Sequence, residues 1–187
     1  RETGRSAADA GGASSPAVAA RVPGVYEPSD PYRPDVGLAR AGINPTTALT
    51  LSPGTTLRAS YEYFHDQRTA DRGVPSFNGR PVDTDPSTFF GNPEQSLSLA
   101  DVNIASVIVE HHTGRSLSVR TRGSFGDSAK HYQNVFPGAV AHSLVSRSGY
   151  EHRSDRTTMF NPTDVIISRN TGSMRPVCAT GGGVGRQ

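Results

Sequence analysis

Apolar and polar residues alternate with period two on both sides of Ser52-Pro53-Gly54-Thr55. Before it, Thr47, Leu49 and Leu51 share one face and Thr46, Ala48 and Thr50 the other. After it, Leu57, Ala59, Tyr61 and Tyr63 alternate with Arg58, Ser60 and Glu62. Successive side chains of a strand point to opposite faces, whereas a helix would scatter these apolar residues around its axis. The spacing therefore predicts an antiparallel hairpin of 46–51 with 56–64. Proline presets φ and glycine admits positive φ, which makes Pro53-Gly54 its turn. The same texture returns at 101–111, where Val102, Ile104, Val107, Ile108 and Val109 cluster. It recurs at Leu117, Val119 and Thr121 against Ser118, Arg120 and Arg122, and again from 160 to 168. His112-Thr113-Gly114-Arg115 and Arg169-Asn170-Thr171-Gly172 are the corresponding predicted turns.

Residues 65–100 and 126–158 are rich in Gly, Pro and polar residues and are predicted as long irregular connections. Short and long connections thus alternate. An up-and-down meander crossing a slab has that rhythm, with tight turns on one side and large loops on the other. The predicted fold class is all-β, an antiparallel meander with almost no helix. Residues 1–20, rich in Ala, Gly and Ser and without a period, are predicted as a flexible N-terminal segment. Val22 to Tyr26 read as a short edge strand, and the three prolines within 27–34 argue against a central strand there. Residues 181–187 read as a loose terminus.

Composition narrows the class. Of 187 residues only 34% are hydrophobic, while Gly supplies 20 and Pro 14, which disfavours helical bundles and doubly wound sheets. There is no run of about 18 apolar residues, which excludes a transmembrane helix but not a β-barrel, whose lumenal side chains are polar. On that reading Arg58, Glu62, Arg120 and Arg122 face a wet lumen. Leu57, Tyr61, Tyr63, Leu117 and Val119 face lipid, with Tyr61 and Tyr63 in an aromatic girdle. The same alternation also fits a soluble all-β binding module, and both readings stay open on pattern alone. Net charge is +2 and Lys130 is the only lysine; no basic stripe flanks an aromatic platform, so nucleic acid is not an expected partner. Arg1 in place of Met is consistent with a chain that starts inside a longer product or after processing.

Candidate chemistry is sparse. Glu110, His111 and His112 resemble metal ligands, but strand neighbours point to opposite faces and no third ligand is suitably spaced. His65 with Asp66, and His142 with Ser143, lack the strained elbow of a nucleophile site. Gly181-Gly182-Gly183-Val184-Gly185 lacks the Lys and Ser or Thr of a phosphate loop. Cys178 is alone, so no intrachain disulfide or thiolate pair exists. No catalytic, cofactor or metal residue is predicted, and the chain does not read as an enzyme. Asp66, Arg68, Asp71 and Arg72, with Phe77, Phe89 and Phe90 further along the same loop, offer charge and aromatic surface for recognition. Packing of the loop against itself would use them equally well.

Gly42-Ile43-Asn44-Pro45-Thr46, the run from Thr56 to Asp66, and Asp71-Arg72-Gly73-Val74-Pro75-Ser76 together resemble the barrel of TonB-dependent siderophore receptors. So do Phe77-Asn78-Gly79-Arg80-Pro81, Ser87-Thr88-Phe89-Phe90-Gly91-Asn92-Pro93, Tyr132-Gln133-Asn134-Val135-Phe136-Pro137-Gly138-Ala139, Phe160-Asn161-Pro162-Thr163-Asp164 and Gly185-Arg186-Gln187. The resemblance spans roughly 22–187 and implies a barrel-like region over 21–187. Such receptors are 22-stranded barrels with a plugged lumen. They sit in the outer membrane, bind a ferric siderophore at the outer side and import it with energy passed through TonB. The implied partners are a ferric siderophore and outer-membrane lipid, with TonB reached only through plug and N-terminal segments not recognisable here. Tyr61, Tyr63, Asp66, Arg72, Phe89 and Phe90 match strand-end and outer-loop positions; none is identified as a ligand contact. With about seven strands, the expectation is an open part of a barrel, inactive in transport by itself.

Overall fold

The computed structural model describes residues 4–114, 116–168 and 176–187. Its strands are β1 (Ser6–Ser15), β2 (Val18–Ser29), β3 (Leu38–Ile43), β4 (Thr46–Ser52), β5 (Thr55–Thr69), β6 (Ser76–Phe77), β7 (Arg80–Pro81), β8 (Leu97–Thr113), β9 (Leu117–Ala141), β10 (Leu144–Ser168) and β11 (Val177–Arg186). A 3₁₀ turn at Pro93–Gln95 is the only helical element among the described residues. All but β6 and β7 join one antiparallel sheet in the order β1-β2-β3-β5-β8-β9-β10-β11, with β4 paired to β2 and β5.

β3 and β4 occupy one position in the wall. Both lie between β2 and β5, and the break between them falls at Asn44-Pro45, where proline has no N–H for the ladder. The sheet stays in register across the break because Asn44 N–H donates to Pro23 O at 3.0 Å and Tyr61 N–H to Pro45 O at 3.0 Å. The path through the sheet therefore has eight wall positions, strictly up and down, where about seven strands were expected.

The predicted hairpin forms as expected, from Thr46↔Ser60 to Ser52↔Thr55. Gly54 turns it with φ +91°, and a Cβ there would stand 2.6 Å from His112 O. The turns at 16–17 and 53–54 share one edge of the sheet with Gly114 at the end of β8 and with the end of β10 at Ser168. The predicted turn at 169–172 lies outside the described residues. The opposite edge carries the 30–37 connection, the 70–96 loop and the tip of the β9–β10 hairpin.

Several expectations are corrected. Residues 126–158 are not irregular: β9 and β10 are 25 residues each and pair almost throughout. Their turn is His142-Ser143, with φ of 49° and 64°. Two successive positive-φ residues match the right-handed twist of flanking strands. The pattern hid this hairpin because its alternation is largely polar against polar. Residues 6–15, expected to be flexible, form β1 against β2. β2 is no edge strand but has partners on both sides, and it continues through Pro28 to Ser29. The glycine-rich end is strand β11, paired to β10 from Val177 to Arg186. Bare glycine suits that strand, since a Cβ at Gly181 would lie 2.3 Å from Asp164 Oδ1 and one at Gly185 3.0 Å from the Phe160 ring.

Register assigns the faces. Arg58 opposes Ile108, which opposes Arg122; Glu110 opposes Arg120, which opposes Asp164; and Glu62 opposes Ile104. This is the charged face. The other carries Leu49, Leu57, Val109 and Thr121 in one row, and Ala59, Val107 and Gly123 in the next. Tyr61, Ala105, Phe125 and Met159 make a third, with Arg186 at its β11 end. From the level of Thr55 to that of Ala59 this apolar face bears no Asp, Glu, Lys or Arg side chain.

No second sheet covers the apolar face; the only other sheet among the described residues is the two-stranded β6–β7. Tyr61 remains 42% exposed, Val107 44% and Phe125 46%. Ala70 is the only buried hydrophobic residue among those described. A compact protein of 19.8 kDa exposes about 8,600 Å². This chain exposes 12680 Å². The sandwich expected of a soluble module is therefore absent from the described residues.

Candidate ligand-binding rim

The 70–96 loop folds over the charged face at its outer end, where β9 and β10 rise beyond β8. Tyr132, Asn134 and Phe136 lie on that face because period-two spacing carries them upward from Arg120 and Arg122. Tyr150 joins them as the partner of Asn134. The Tyr132 and Tyr150 rings stack at 5.4 Å, and Phe136 meets Tyr150 edge-on at 6.0 Å. Arg72, from the loop, donates from Nη2 to Tyr150 Oη at 2.6 Å. Its guanidinium carbon lies 5.6 Å from the Phe136 centroid and 5.9 Å from that of Tyr150. Burial pushes the Tyr132 hydroxyl up, but hydrogen bonds from Tyr150, Arg72 and Asn134 outweigh it and hold it below the ordinary phenol value.

Asp66 is 4% exposed at the outer end of β5. Arg40 Nε donates to its Oδ2 at 2.9 Å, and Arg68 donates to both oxygens at 2.7 Å. Burial raises its carboxyl and the two guanidiniums more than offset that, so the group ionises below the usual aspartate value. Asp71 pairs with Arg33 and accepts the Gly73 N–H at 2.8 Å, while Arg33 Nε also reaches Pro86 O at 2.9 Å. Asp66, Arg68 and Asp71 are thus spent on holding strands and loops. Arg72 alone of the four predicted charges stands exposed on an aromatic shelf.

Among the predicted aromatics, Phe77 is 50% exposed on β6. Phe89 packs on Gly91, where a Cβ would lie 2.6 Å from its ring. Tyr61 and Tyr63 sit on the apolar face, away from the rim, and Tyr61 Oη donates to Asn103 Oδ1 at 2.5 Å. His111 and His112 do take opposite faces, and His111 bonds Thr55 at 2.8 Å and Thr113 at 3.0 Å. No three His, Cys, Asp or Glu among the described residues converge on one point. Tyr132 and Phe136 enter the sequence reading only within the motif from Tyr132 to Ala139, with no role of their own, and Tyr150 does not enter it. The i, i+2, i+4 spacing of Tyr132, Asn134 and Phe136 is a usable signal; Tyr150 lies in the polar stretch 126–158, whose pattern predicts an irregular connection. A shallow groove also crosses the apolar face past Ala59, Tyr61, Val107 and Phe125, with Asn161 and Arg186 at its β10–β11 end.

No family model matches the chain. Solved structures do. The siderophore receptor PiuA from Acinetobacter baumannii superposes with TM-score 0.87 at 19% identity, over 98% of this chain and 28% of that one. The ferric-catecholate import receptor Fiu from E. coli K12, in its closed form, gives 0.84 at 19% identity, over 97% and 29%. FpvA of P. aeruginosa, in complex with a heterologous pyoverdine and iron, gives 0.82 at 11% identity, over 97% and 25%. The chain has the fold of a siderophore-receptor barrel in partial form, and it spans under a third of the length of these receptors. The resemblance read from its motifs is borne out at the level of fold.

Proposed function

We propose that this chain forms part of the wall and outer rim of an outer-membrane, TonB-dependent receptor for ferric siderophores. The observation that carries the reading is the uncovered apolar face, free of charged side chains from Thr55 to Ala59 and backed by a charged face. Lipid is the partner that such a face needs, since a broad contiguous apolar face is not left open to water. The tight-turn edge then lies toward the periplasm and the loop edge outward. Arg72, Tyr150 and Phe77 are the rim groups available to a siderophore. A chelate that brings its iron already coordinated needs donors and aromatic faces rather than protein ligands to the metal. Coupling to TonB would run through a plug and N-terminal segments, not through this wall.

The test is iron accumulation by cells carrying the full-length protein, supplied with ferric siderophores of several chemistries. Uptake that disappears when TonB is deleted supports the proposal. Absence of uptake for every class, together with water-phase labelling of cysteines placed at Val107 and Phe125 in a Cys178→Ser background, would overturn it.

A further inference from the structure

We propose that Arg72 is a positioning residue, a latch that joins the outer loop 70–96 to the β9–β10 hairpin so that the two move as one lid. The returning end of the loop is already pinned to β9. Ser96, 1% exposed, accepts the Val135 N–H at 3.2 Å and donates to Val135 O at 3.4 Å. A Cβ on Gly91 would lie 2.7 Å from that same carbonyl. The base of the loop is closed by Ala70 N–H donating to Ser96 O at 3.0 Å.

The leaving end reaches the hairpin through Arg72. A guanidinium can donate along its plane to the Tyr150 hydroxyl while its face covers the Phe136 and Tyr150 rings, a combination an ammonium does not reproduce. Beneath it Asn134, fully buried, donates to Tyr132 Oη at 3.1 Å, and its Oδ1 has no partner. Asn134 thus holds the Tyr132 hydroxyl from within the wall, and the Tyr132 ring stacks on Tyr150. Between the two anchors, β6 and β7 form a two-residue hairpin with exposed Phe77 at its end. Lifting this lid requires Arg72 to leave the shelf, which uncovers the faces of Tyr150 and Phe136 that it occupies.

Amide hydrogen exchange of the full-length protein in detergent micelles tests the latch. Arg72→Gln is expected to speed exchange over 71–90 about tenfold, with β5 and β8 unchanged. Tyr150→Phe, which keeps the ring and loses the hydroxyl, has a smaller effect of about threefold, and Arg72→Lys falls between. The double variant Arg72→Gln/Tyr150→Phe exchanges no faster than Arg72→Gln, because both changes remove one shared contact. Unchanged exchange over 71–90 in Arg72→Gln overturns the proposal. So does equal acceleration in β5 and β8, or additivity in the double variant. The measurement uses no ligand, so its failure leaves the receptor reading standing, and failure of iron uptake leaves the latch standing.

Discussion

Asp66 shows how one side chain organises the rim. Its carboxylate is nearly buried and accepts from two arginines on different strands, so it joins β3 to β5 beyond the backbone ladder. Asp66→Asn keeps the shape but leaves Arg68 without its carboxylate and Arg40 with only Glu27, at 3.7 Å. Loss of such charge-assisted bonds is expected to cost about 1–3 kcal/mol, read as a lowered urea midpoint in micelles. The pH dependence follows from the lowered folded-state ionisation of Asp66. Its contribution is complete above the unfolded aspartate value of about 3.9 and is lost as pH falls through the lower folded value. The stability gap between wild type and Asp66→Asn should therefore be constant near neutrality and shrink below about pH 4. A gap that widens on acidification would contradict this account.

At the scale of elements, the tight-turn edge depends on glycine unequally. Gly54 and Gly114 both have positive φ, but a Cβ on Gly54 would meet His112 O at 2.6 Å while one on Gly114 meets nothing within 4 Å. Gly54→Ala is expected to cost about 1–3 kcal/mol and Gly114→Ala the lower end of that range. Comparison of the two unfolding midpoints checks the difference. The β9–β10 hairpin makes the complementary point. Its length reflects a ladder broken only near Val145–Arg147 and at 161–162, and a turn of the right hand, not hydrophobic alternation, and its upper half becomes the seat of the loop. β11 is likewise a strand without side chains to recommend it, formed because its bare backbone admits Asp164 and Phe160 of β10.

For the whole molecule, the single-layer sheet decides what can surround it. With Ala70 the only buried hydrophobic residue described, the chain has no interior of its own. Its apolar face must be covered by something else, and its first and last strands, β1 and β11, lie at opposite ends of the sheet rather than against each other. Val107→Arg, in the middle of the apolar face, is expected to destabilise insertion by about 2–4 kcal/mol. Ile104→Arg on the charged face, opposite Glu62, should cost far less. Refolding yield into lipid vesicles separates the two. Arg58, Glu62, Arg120 and Arg122 share one face of an open sheet, and closing eight positions into a narrow cylinder would crowd them together at a steep desolvation cost. The isolated chain is therefore expected to give no stable conductance in planar bilayers; discrete, reproducible channel steps would refute that.

The period-two alternation by itself determined the hairpin around Pro53-Gly54, the two faces of β5 and of the start of β9, and the side on which the tight turns lie. These follow from local sterics and from the contrast between Arg58 or Arg120 and their apolar neighbours, which any pairing must respect. The receptor-like fold was legible too, in the order of several motifs along the chain. Only tertiary pairing decided the rest. β1, the upper half of β9–β10 and β11 are built from Ala, Gly, Ser and polar residues whose local preference is weak, so they become strands because a neighbour offers a ladder of hydrogen bonds. The rim was legible in part for the same reason. Arg72 was visible as a loop charge, but whether it or Asp71 stayed open depended on which partner lay across the fold. Arg33 claimed Asp71, while Tyr150, 78 residues away, set Arg72 on its shelf.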